Sequence, residues 1–112
     1  MTAIIIDGVQ LHGIRKVLIE ATTNAVTTPL VEIRDLVNYT FTSSTLGTGE
    51  EILVEIYDFS LPTPTWQPYV LDGARVRLSK DYEQLQITAS AIVIRFVKGA
   101  TSNPVGLTMS YR

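Results

Sequence analysis

The sequence predicts an all-β fold, an antiparallel two-sheet β-sandwich, and three observations carry that prediction. Apolar residues recur with period two in segment after segment, where a helix would show 3.6. The segments are separated by turn chemistry, including two Asp-Gly pairs, Asp7-Gly8 and Asp72-Gly73, which accept the positive φ angles of a tight type I′ hairpin turn. Apolar residues make up 46% of the chain and charged residues 18%, enough to fill a core and too little charge for disorder. A chain of 112 residues holds one such core, so residues 1–112 are expected to form a single sandwich domain. The jelly roll is one connectivity that the strand spacing fits.

Each element has its own warrant. Residues 2–6 and Val9-Gln10-Leu11 flank the first Asp-Gly and read as a hairpin. Residues 14–20 are apolar and β-branched enough for a strand, although no clean alternation runs through Arg15-Lys16-Val17-Leu18-Ile19. A polar turn at Thr22, Thr23 and Asn24 leads into an extended stretch over 26–34, where Pro29 argues for a sheet edge. Val37, Tyr39 and Phe41 alternate with Asn38, Thr40 and Thr42, a pattern suited to a half-buried pleated surface.

Residues 43–50, with two glycines and several hydroxyls, read as a loop projecting into solvent before Ile52, Val54 and Ile56 alternate with Glu51, Leu53 and Glu55. The run Leu61-Pro62-Thr63-Pro64-Thr65-Trp66-Gln67-Pro68 lacks N–H groups at its prolines, and is expected to be an extended crossover between sheets. A second hairpin is expected around Asp72-Gly73, between residues 69–71 and 75–78. Strands over 85–89, 92–98 and 105–111 complete eight to ten in all. Their inward sides supply the expected core: Val76, Leu78, Ile92, Ile94, Phe96, Val105, Leu107 and Met109.

The chemistry-bearing residues do not converge. His12 is the single histidine and cysteine is absent, so neither a catalytic triad nor a His/Cys metal site can be assembled. Leu46-Gly47-Thr48-Gly49-Glu50 lacks the Gly-Lys-Ser/Thr ending of a phosphate cradle. Glu50, Glu51, Glu55 and Asp58 could suggest a paired-carboxylate or calcium site, but Glu51 and Glu55 share the polar face of one strand and no further partner is identifiable, so a solvated face is the reading. No enzyme activity, cofactor or metal is expected. The net charge of −2 and pI near 5.2 supply no positive field for nucleic acid. The apolar run over 3–6, cut by Asp7, is too short for a signal or a membrane span, so synthesis in a cytoplasm is the expectation.

What remains points to contact surfaces. Leu53 and Tyr57 flank Glu55, and Val93 and Val97 flank Arg95, which places large apolar side chains on strand faces opposite the core. An apolar patch of that kind commonly marks an interface, and a homo-oligomer, or completion by a partner, is the expectation; the alternative is that crossover loops of the same chain cover these residues. Trp66, the lone tryptophan, with Tyr69 shortly after it, either closes one end of the core or anchors a partner or a sugar ring.

The stretch from Tyr69-Val70-Leu71-Asp72-Gly73 through Ile94-Arg95-Phe96-Val97-Lys98-Gly99-Ala100-Thr101-Ser102-Asn103-Pro104-Val105-Gly106 resembles small tailed-bacteriophage virion proteins. In those, a "Tyr-Arg-Phe-Val-Lys" type strand ends in a turn before a Val-Gly strand. The likeness covers about 40 residues as a pattern rather than a signature, with Ile94 standing where tyrosine is the rule. The acidic, cysteine-free, threonine-rich profile is similar to capsid decoration, or cement, proteins. The resemblance implies a β-sandwich, a dimer or trimer, assembled in the host cytoplasm, that binds the major capsid protein on the outside of the virion. The alternative is a carbohydrate-binding or tail-tip module in which Trp66 and Tyr69 stack on sugars.

Overall fold

The computed structural model describes residues 2–6 and 9–111, with side chains from residue 15 onward. It is all-β, with no helix among the described residues. The strands are β1 (Thr2–Ile6), β2 (Val9–Thr22), β3 (Val26–Thr27), β4 (Val31–Arg34), β5 (Tyr39–Ser43), β6 (Glu51–Asp58) and β7 (Thr65–Pro68). They continue with β8 (Val70–Leu71), β9 (Ala74–Arg75), β10 (Arg77–Ser79), β11 (Gln84–Ile87), β12 (Ala91–Lys98) and β13 (Val105–Tyr111). One sheet has the order β1-β2-β13-β5-β11. A second has β10-β6-β12-β3, with β4 also on β12 and β7 also on β6, and β8 and β9 pair with each other as a separate two-stranded sheet. Every pairing is antiparallel.

The two sheets pack face to face. Ile19, Phe41, Ile87, Leu107 and Met109 of the first sheet meet Ile33, Ile52, Val54, Leu78, Ile94 and Phe96 of the second, all buried. Phe41 and Phe96 join the layers with ring centroids 4.6 Å apart and planes tilted by 49°, within the range where aromatic pairs attract beyond their area. Of the eight expected core residues, seven are buried and Ile92 is half-buried against the cluster.

The second Asp-Gly hairpin forms as expected. Val70 pairs with Arg75 and Leu71 with Ala74, and Asp72 (φ 51°) and Gly73 (φ 78°) both take the left-handed angles that a type I′ turn demands. The first, at Asp7-Gly8, lies outside the described residues. Pro29 divides the stretch over 26–34 into β3 and β4, both on the outer side of β12, so the edge position expected for this proline holds.

Three expectations are corrected. The proline-rich segment does not cross between sheets: Thr65–Pro68 returns beside β6 in the same sheet, with Trp66 opposite Tyr57 and Pro68 opposite Glu55. Its prolines are tolerated because β7 is an edge strand with no further ladder to satisfy. The loop over 43–50 does not project into solvent. Leu46 is buried in the core, its N–H donates to Glu83 Oε2 at 2.7 Å, and Glu50 Oε1 accepts from the Gly47 N–H at 2.7 Å. Finally, residues 9–11 and 14–20 are one strand of 14 residues, which exchanges its partner β1 for β13 near Ile14.

The missing alternation in β2 has a physical cause. Its register against β13 shifts twice, between Val105 and Leu107 and between Leu107 and Thr108. Each shift leaves an extra residue on β2, the arrangement of a β-bulge. Leu18 and Ile19, neighbours in sequence, therefore both reach the core. Gly106 lies against this bulge: a Cβ there would stand 2.8 Å from the Ile19 carbonyl oxygen.

Candidate functional site

The outward face of the second sheet is where the expected contact residues meet. Because side chains alternate along a strand, burying Ile52 and Val54 turns Leu53, Glu55 and Tyr57 outward. Burying Ile94 and Phe96 does the same for Val93, Arg95 and Val97. Register then builds rows across the sheet. Leu53 opposes Val97, Glu55 opposes Arg95, and Tyr57 opposes Trp66. All six of these residues are half-buried.

The centre of the face is held by charge and π contacts. Arg95 Nε donates to Glu55 Oε1 at 2.7 Å, while its guanidinium carbon sits 4.4 Å from the centroid of the Trp66 ring, a cation–π geometry. The Tyr57 ring meets Trp66 edge-on at 5.2 Å and Phe59 at 4.7 Å. Arg77 pairs with Glu51 at 3.3 Å and Arg34 with Glu32 at 3.5 Å on the flanks. The face thus carries three acid–arginine pairs, balanced in charge, between apolar rows.

At one end of the face, a groove of about 480 Å³ is lined by Tyr57, Phe59, Ala91 and Val93 together with Glu32, Ile33, Arg34, Ile56 and Ile92. Phe59 stands above it at 68% exposure, and Leu61 just beyond is 36% exposed. Sequence reasoning missed Phe59, since it follows the last alternating position of β6 and only the end of the strand gives it prominence.

Tyr69 is not part of this face. Its side chain packs against the core, with its N–H donating to the Val54 carbonyl and its own carbonyl accepting from Val76. Trp66 and Tyr69 therefore form no shared stacking platform. Trp66 itself is neither a core plug nor a free ring: it is half-buried on the outer face beneath Arg95.

Two ionisable groups stand out elsewhere. Lys98 continues the inward series of β12 and is 1% exposed, with Nζ donating to the Asn24 carbonyl at 2.7 Å and the Gly99 carbonyl at 3.1 Å. Burial holds its pKa below the ordinary lysine value. Glu50 Oε2 accepts from the Ser102 N–H at 2.7 Å, and this bond together with the one from Gly47 lowers its pKa. Both side chains tie loops to the sheet end, and each carries the charge that favours the other's ionised form. No group of three His, Cys, Asp or Glu side chains that could hold a metal occurs among the described residues.

No protein-family model, curated protein or solved structure matches this chain.

Proposed function

We propose that this chain is a non-enzymatic structural protein of a bacteriophage particle, of the capsid decoration kind, that stabilises the shell by bridging major capsid subunits. Its working unit is a homo-oligomer assembled through the outer face of the second sheet. The observation that carries this reading is the convergence of Trp66, Tyr57, Arg95, Leu53, Val93 and Val97 on one charge-balanced face. Tryptophan, tyrosine and arginine are the residue types that dominate interface energetics. Binding only the assembled shell shifts the equilibrium against disassembly, and joining copies multiplies a modest contact through effective concentration.

Co-sedimentation tests the reading. The protein is expected to pellet with mature capsids and to stay in the supernatant with disrupted ones. Trp66→Ala is expected to weaken capsid binding by about 100-fold through lost avidity. Equal recovery with intact and disrupted capsids, or none with either, would overturn it.

A further inference from the structure

We infer that a second copy of this chain covers the outer face of the second sheet, related by a two-fold axis, with Phe59 of each copy seated in the Tyr57–Val93 groove of the other. The inference rests on the reading of this face as an association surface and names its occupant.

Three features select a second copy. The first is self-complementarity: the exposed side chain and the recess that would receive it adjoin on one patch, Phe59 at 68% exposure being one wall of the groove of about 480 Å³. A two-fold interface needs that adjacency, because each patch must both give and receive.

The second is charge. Glu32, Glu51 and Glu55 are already matched within the chain by Arg34, Arg77 and Arg95. A copy placed against its own image therefore brings no surplus of one sign together, whereas a face of one sign would repel itself. A strongly basic or acidic partner finds no complementary field here.

The third is size. Four strand positions at about 4.8 Å and eight residues at about 3.4 Å span roughly 19 by 27 Å. That footprint of roughly 500 Å² per copy, about 1,000 Å² for the pair, reaches the lower bound of specific protein interfaces. It exceeds what a small ligand would cover.

The full chain contains no cysteine, so a single engineered thiol reports on the geometry without background. Light scattering over a concentration series should give a dimer mass for the unmodified protein, and Phe59→Asp should raise the dimer dissociation constant by about 30-fold or more. Leu71→Asp, at an exposed leucine on the β8–β9 hairpin, should leave it unchanged. Ser60→Cys, next to Phe59 and exposed, should form a disulfide-linked dimer under mild oxidation, and a cysteine replacing Leu71 should not. A monomeric mass up to ~100 μM, or a dimer insensitive to Phe59→Asp in a variant with unchanged thermal unfolding, would overturn the inference. A dimer that fails to pellet with capsids would leave it standing and remove only the capsid reading.

Discussion

Phe96→Ala is the most direct probe of how the two sheets are held together. Phe96 is fully buried and pairs across the layers with the equally buried Phe41. Truncating a buried phenylalanine costs about 3–5 kcal/mol, transfer and cavity combined. Here the cavity would open between two hydrogen-bonded sheets that cannot easily close on it, so about 4 kcal/mol is expected. A chain of this length has a total stability of roughly 6–17 kcal/mol, so the variant should still fold. In urea, with a slope of about 1.5 kcal/mol/M, the midpoint should fall by roughly 2.5–3 M without a change in slope. Phe59→Ala, on an exposed ring, serves as the control and should stay within about 0.5 kcal/mol of the parent when measured at low concentration. A loss under about 1.5 kcal/mol for Phe96→Ala, or a larger loss for Phe59→Ala, would refute the packing assigned here.

Three further predictions concern turns and a buried charge. Gly73→Val should destabilise by about 1–2 kcal/mol in thermal unfolding, because a β-branched residue resists the φ of +78° while nothing stands within 4 Å of the added Cβ, so the cost is backbone strain alone. Leu36→Gly should stabilise by about 0.5–1 kcal/mol: Leu36 sits at φ 55° with its side chain 68% exposed, and relief of left-handed strain outweighs the entropy that glycine adds to the unfolded chain. A lower melting temperature would contradict that sign. For Lys98, burial lowers the folded-state pKa, so the unfolded chain binds more protons between that lowered value and the ordinary lysine value. Stability should therefore rise with pH across that window. Lys98→Met should flatten the rise, and a profile unchanged by the substitution would show that Lys98 is not its source.

How far the sequence revealed this arrangement depended on whether alternation survived intact. Where strands pair in unbroken register, as β6 does with β12 and β13 with β5, the inward and outward residues could be assigned one by one, and the contact face followed from the same alternation. The Asp72-Gly73 turn was equally legible, because its chemistry is local. Legibility failed where a distant partner decides the outcome. The β2 bulges depend on Gly106 in another strand, and Leu46 enters the core because Glu83 and Glu50 fold its loop inward. The turn at Asp35-Leu36, with φ 61° and 55°, carries no glycine to announce it. It is imposed by the neighbouring segment, whose Ser90 and Ala89 carbonyls accept the Asp35 and Leu36 N–H groups at 3.0 Å. Tyr69 looked like a partner for Trp66 from spacing, and only the return of β7 beside β6 separates them.

The lone tryptophan makes the central claim, that the outer face of the second sheet is covered in the working state, directly measurable. Trp66 lies on that face and nowhere else does the chain carry an indole, so acrylamide quenching of its fluorescence reports on the face without labelling. Over a dilution series from ~100 μM to ~0.1 μM, the quenching constant should rise as copies separate, and it should stay high at all concentrations in Phe59→Asp. A quenching constant that is the same throughout the series, in a protein that light scattering shows to be associated, would place the interface on another surface and contradict the account.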